Sequence, residues 1–132
     1  MAAPHPVAAS VPEVYQVAWD PDARADLLEI VRFIAHDSPA AARRVADRLA
    51  AGASSLGHLP QRGRRVPELT AWAELAGLMR EIEIRELVIR PWRLVYVIAG
   101  QQVRIVALVD SRRDMVAWLE RHIVRLTAKP GR

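Results

Sequence analysis

Apolar residues recur along this chain in two rhythms, one near 3.6 residues and one near 2, and the order of the rhythms predicts the fold. Tyr15, Val17 and Trp19 fall on every second position and predict a short strand with one apolar face. Asp20-Pro21 follows, a good N-cap residue type with proline at the first helical position. From Asp22 to His36, Leu27, Ile30, Val31 and Ile34 recur at i, i+3, i+4 and i+7 and share one stripe of a helix. His36-Asp37-Ser38-Pro39 stops that helix and starts a second, capped by Ser38, that runs to about Leu56. Its stripe is Ala42, Val45, Ala46, Leu49, Ala53 and Leu56, and the alanines let a neighbour approach closely. Two amphipathic helices joined by a short polar turn predict an antiparallel αα-hairpin.

Pro60, Gly63 and Pro67 punctuate residues 60–68 too densely for regular structure, so a basic loop is expected there. Leu69–Met79 reads either as a short helix carrying Trp72 and Leu75 or as an irregular insertion. From Arg80 the period becomes 2. Ile82 and Ile84 alternate with Glu81, Glu83 and Arg85, and the run continues to Ile89. After an Arg90-Pro91 turn, Trp92–Ile98 predicts a strand with Trp92, Leu94, Tyr96 and Ile98 on one face. Arg93, Val95 and Val97 share the other. A tight turn at Ala99-Gly100-Gln101 leads to a strand over Val103–Val109, and such short connections imply antiparallel neighbours. Asp110–Asp114 breaks the pattern, and Met115–Leu126 predicts a last helix with Val116, Leu119, Ile123 and Leu126 on its stripe. The resulting fold class is α+β: an N-terminal strand, an antiparallel αα-hairpin, then a three-stranded antiparallel sheet and a C-terminal helix. Residues 14–126 read as one domain between a disordered Ala/Pro-rich tail at 1–13 and a C-terminal tail at 127–132.

Composition narrows the chemistry. With no cysteine there is no disulfide, no thiolate nucleophile and no cysteine-ligated zinc, which suits a reducing, cytoplasmic setting. No apolar run approaches the length of a membrane span, so no membrane partner is expected. The net charge is +4, from 19 basic and 15 acidic residues, and Lys129 is the only lysine. Arginine forks bind carboxylate and phosphate and cannot be titrated away, so an acidic partner surface is the natural complement. His5, His36, His58 and His122 lack metal-ligand spacing and read as surface or capping residues, none placed near the basic strand motifs. No metal or cofactor is expected.

Several segments resemble, in order, the RelE/ParE superfamily of toxins. Tyr15…Trp19-Asp20-Pro21-Asp22-Ala23 is similar to its first strand and helix start, and Leu28–Ala35 with Ser38-Pro39-Ala40-Ala41 resembles its helical hairpin. Pro60-Gln61-Arg62-Gly63-Arg64-Arg65-Val66-Pro67-Glu68 is similar to the Pro-x-x-Gly-Arg-x-Val-Pro-Glu loop of the ParE branch. Arg85-Glu86-Leu87 with Pro91-Trp92-Arg93-Leu94-Val95-Tyr96 resembles the Arg-Glu-Leu…Tyr-Arg-Ile-x-Tyr core, and Val109–Asp114 the closing His-Gly-Arg-Arg-Asp motif. The chain departs from the family at Asp110, where histidine is common, at Trp92, where tyrosine is usual, and over Thr70–Ile84, which is longer.

The resemblance implies the toxin of a type II toxin–antitoxin pair, neutralised by a cognate antitoxin, with no small-molecule substrate. Two modes of poisoning come with it: inhibition of DNA gyrase by binding, and cleavage of mRNA on the ribosome. A third possibility is a non-toxic interaction module that keeps the fold. For target binding the candidates are Arg64, Arg65, Arg85, Arg93, Arg112 and Arg113, with Trp118 added from the off-stripe face of the last helix; a nuclease would use Arg85, Arg93, Tyr96 and Arg113. Antitoxin contacts are expected at Leu27, Val31, Ala42, Ala46 and Leu49, as helix-in-groove docking. Plainer readings compete. Tyr96 can be a packed core tyrosine, and the arginines can be solvated or paired with Glu81, Glu83, Glu86 and Asp114. Trp118, Arg121, His122 and Arg125 lie off the last helix's stripe, where Trp118 is either an exposed hot spot or a ring lying flat on the sheet rim. A carboxylate at position 110 repels RNA phosphate, which favours the non-enzymatic mode.

Overall fold

The computed structural model describes residues 14–68 and 83–127, with side chains as far as His122. In chain order the elements are β1 (Gln16–Trp19), α1 (Pro21–Asp37), α2 (Pro39–Ser55), a 3-10 turn (Pro60–Arg62) and β2 (Arg64–Arg65). Then come β3 (Glu83–Ile89), β4 (Trp92–Ala99), β5 (Gln102–Asp110) and α3 (Met115–Thr127). The expected tails at 1–13 and 128–132, and the ambiguous stretch from Leu69 to Ile82, lie outside the described residues; Thr127 closes α3 and does not begin a tail.

Local signals act as their chemistry predicts at the hairpin. The Ser38 hydroxyl accepts the Ala41 N–H at 3.1 Å and caps α2, with Pro39 just inside. Asp20 occupies the cap position of α1 in extended conformation but makes no side-chain cap; its carboxylate pairs with Arg104 at 3.1 Å. That ion pair ties the start of α1 to β5.

The sheet has five strands in the order β1-β5-β4-β3-β2. The three long strands are antiparallel, as expected, whereas β1 runs parallel to β5, from Gln16 opposite Gln102 to Trp19 opposite Ile105. The loop at 60–68 is more regular than its punctuation suggested. Arg64 and Arg65 pair with Glu86 and Arg85 as a short antiparallel edge strand, because β3 offers an unpaired edge there.

Both sheet faces are covered. On one, Leu94, Tyr96, Ile98, Val103, Ile105 and Leu108 pack against Ala23, Leu49, Ala53 and Leu56 of the hairpin. On the other, Val95, Val97, Val106, Ala107 and Val109 pack with Met115, Trp118 and Leu119 of α3. The alternation along β5 skips a beat where the register shifts. Val95 faces Ala107 but Tyr96 faces Ile105, so Val106 is the extra residue of a bulge and joins its neighbour Ala107 in the second core. The stripe of α3 differs from the one expected: Met115, Trp118 and Leu119 are buried and Val116 is exposed. A sheet face rather than a groove receives this helix, and the largest ring wins the buried position.

Candidate interaction surface

One cluster of predicted residues clamps the 60–68 loop around the edge of β3. On the hairpin face, the Tyr96 hydroxyl donates to Pro60 O at 2.6 Å and accepts from Gly63 N–H at 3.1 Å. Arg85, opposite Tyr96 in register, donates to Gly63 O at 2.7 Å and pairs with Glu83. On the α3 face, the Glu86 carboxylate is fully buried and held by Arg93 at 2.6 Å and Arg64 at 2.5 Å. Arg93 also forks onto both oxygens of Glu68, at 2.7 and 3.1 Å. Val66 enters the core between these anchors. Gly63 is required by this approach, since a Cβ there would lie 2.4 Å from Glu86 O and 2.5 Å from the Tyr96 hydroxyl oxygen.

The electrostatics follow from the geometry. Burial pushes the Tyr96 phenol above its ordinary range, against the backbone hydrogen bond from Gly63. The Arg93 fork holds Glu68 below the usual carboxylate range. Burial alone would lower Arg93, but Glu68 and Glu86 outweigh it and hold the guanidinium charged. Arg85 and Arg93, expected to meet a target, are thereby tied up inside the protein. Arg64 and Arg65 keep more than half of their side-chain surface in solvent.

A second cluster surrounds an open cleft of about 740 Å³ between α1 and α3. It lies where β1 stops short and β5 runs on, so among the described residues no strand pairs with the outer edge of β5 beyond Ile105. There the Asp26 carboxylate accepts the Leu108 N–H at 3.0 Å, capping that edge. Ile30, Phe33 and Ile34 of α1 and Trp92, Leu108 and Trp118 supply the apolar lining. Asp26 and Glu29 stand on the α1 wall; Arg112, Arg113, Arg121 and His122 stand on the other. Arg112 grips Asp110 with two nitrogens, at 3.0 and 2.9 Å, and so holds that carboxyl well below its ordinary range. His122 stacks on Trp118 with ring centroids 4.4 Å apart. Trp118 itself is only 7% exposed, so its indole is mainly core, as the plainer reading had it.

Residues 17–115 match the family model described as the ParE toxin of the type II toxin–antitoxin system parDE. The chain belongs to the ParE toxin family. It is also similar to the curated protein named toxin RelE2 of Caulobacter vibrioides, at 35% identity over 98 residues, covering 74% of this chain and 97% of that one. A solved structure titled as the chromosomal ParDE system from P. aeruginosa superposes with a TM-score of 0.55 at 18% identity. That match covers 74% of this chain and 97% of the other, and it supports the fold.

Set against ParE-family expectations, the predicted residues separate into two groups. Arg64, Arg65, Arg85, Arg93 and Tyr96 gather at the loop clamp, whereas Arg112, Arg113 and Trp118 line the cleft. Of the expected antitoxin contacts, Ala42 and Leu49 are buried within this chain, Leu49 in the core between hairpin and sheet. Leu27, Val31 and Ala46 keep partial exposure. His122, read from the sequence as a surface or capping residue, lines the same cleft as Arg112 and Arg113. Glu29 and Phe33 were not singled out, and Phe33 is 81% exposed, an unusual position for a large aromatic ring. Among the described residues no cluster of three metal-ligating side chains occurs, and no helix is long and apolar enough to cross a membrane.

Proposed function

We propose that this toxin arrests growth by binding DNA gyrase, through the basic wall formed by Arg112, Arg113 and Arg121, and that a cognate antitoxin holds it in check. The single observation that carries the binding mode is Tyr96. Its hydroxyl is fully enclosed and already makes two hydrogen bonds, while Arg85 on the same sheet face is paired with Glu83 and Arg93 on the opposite face with Glu86 and Glu68. Three of the four residues a nuclease would draw on thus have partners within the protein, which supports binding over cleavage. The match to the ParE family model supports the same choice. Antitoxin docking belongs on the open side of the hairpin, around Leu27, Val31 and Ala46, with the half-exposed Leu28 beside them.

A second reading is favoured by one observation, the placement of His122 with Arg113 in the cleft, and by the name toxin RelE2 borne by a relative. An imidazole and a guanidinium lining one cleft are residue types suited to general acid–base work on a phosphodiester. The two readings separate in a supercoiling assay with purified gyrase. Wild-type chain should inhibit, Arg113→Glu should need about tenfold more protein for the same inhibition, and His122→Ala should inhibit like wild type. Full supercoiling in the presence of excess wild-type chain would reject gyrase as the target.

A further inference from the structure

The cleft between α1 and α3 carries charges that the rest of the fold leaves unmatched. Glu29 on one wall, and Arg113 and Arg121 on the other, form no ion pair among the described residues. These opposite charges stand on different walls of the cleft and do not pair with one another within one copy. Beside them Phe33 presents its ring to solvent at the lip of an apolar hollow lined by Ile30, Trp92 and Leu108. A projecting aromatic ring, a hollow, an acidic wall, and a facing wall that is basic on balance once Arg112 is set against Asp110 are the parts from which a two-fold contact is built.

We infer that this patch pairs two copies of the chain. Phe33 of each copy enters the hollow of the other, and the Glu29 wall of each faces the Arg113–Arg121 wall of its mate. Nucleic acid fits the patch less well, because Asp26 and Glu29 would stand against its phosphates. Pairing covers Arg112 and Arg113, so the monomer is the form that meets a target. That last consequence rests on the function proposed above; the pairing does not.

Sedimentation of the purified chain across a concentration series tests it. The expected result is a concentration-dependent monomer–dimer equilibrium. Phe33→Asp should be monomeric throughout, with an unchanged far-UV circular dichroism spectrum. Glu29→Arg and Arg121→Glu should each weaken pairing about tenfold or more, since like charges then meet at both symmetric contacts. Mixed in equal amounts, those two variants should form a heterodimer tighter than either variant's homodimer, because one contact keeps Glu29 against Arg121 and the other restores the pair with the signs exchanged. A wild-type chain that stays monomeric at the highest concentration overturns the inference, and so does a mixture that fails to associate. Growth arrest is scored separately: a dimer that arrests nothing refutes the toxin reading alone, and a monomer that arrests growth refutes the pairing alone.

Discussion

Replacing Arg93 with alanine should cost about 3–5 kcal/mol of folding stability, the range for breaking a buried ion pair from one side. The Glu86 carboxylate has no solvent access, and Arg93 is the buried half of what neutralises it. The remaining partner, Arg64, has 59% of its side chain in solvent and is correspondingly screened. The same substitution releases both oxygens of Glu68 and so frees the far end of the 60–68 loop. By contrast, Arg64→Ala should cost less, about 1 kcal/mol, because its guanidinium is solvent-screened and Arg93 still neutralises Glu86. The double change Arg93→Met with Glu86→Leu should lose much less than the two single changes summed, because no charge is then left buried. Urea denaturation reads the result as a shifted midpoint at constant slope. A loss under 1 kcal/mol for Arg93→Ala would mean that the clamp does not hold the loop.

Tyr96→Phe should leave growth arrest intact while lowering stability by about 1–3 kcal/mol. The ring still fills its place in the core, but Pro60 O loses its donor and Gly63 N–H its acceptor in a buried setting. A catalytic tyrosine would behave in the opposite way: its loss would leave the melting temperature nearly unchanged and would remove activity by about 10²–10⁴-fold. Burial also raises the Tyr96 phenol, which makes it a poorer proton donor near neutral pH. Growth curves after induction, read beside thermal melts of the same variant, separate the two. Normal stability with abolished arrest would return Tyr96 to the reacting machinery.

Periodicity carried most of the fold because the main elements bury continuous stripes. The hairpin residues Leu49, Ala53 and Leu56, and the alternating faces of β4, pack where their spacing put them, and Ala42 is buried as its stripe predicts. The misses have local causes. Two residues of β2 are too few to show a period, and the bulge at Val106 shifts the phase of β5 without any punctuating glycine. On α3, Trp118 and Val116 exchange roles, since size and not spacing decides which of two apolar positions a flat sheet face receives. The candidate site was half legible. Motif resemblance found the arginines, but an arginine spent on a carboxylate and one free to bind look alike in one dimension. Glu83 and Glu86, which absorb Arg85 and Arg93, were in view as competing partners; Glu68, from the far end of the loop, was not. Helical spacing already grouped Trp118, Arg121 and His122. What it did not show is that α1 sets Glu29 and Phe33 across from them, a pairing made only by the return of β5 beside α1.

The most direct test of a toxin that works by binding gyrase is pulse-labelling of DNA and protein synthesis in the first minutes after induction without antitoxin. The account predicts that thymidine incorporation falls first, with an SOS response, while methionine incorporation continues. An early stop in methionine incorporation, with transcripts cut and DNA synthesis continuing, would contradict it and assign the cleft to RNA cleavage.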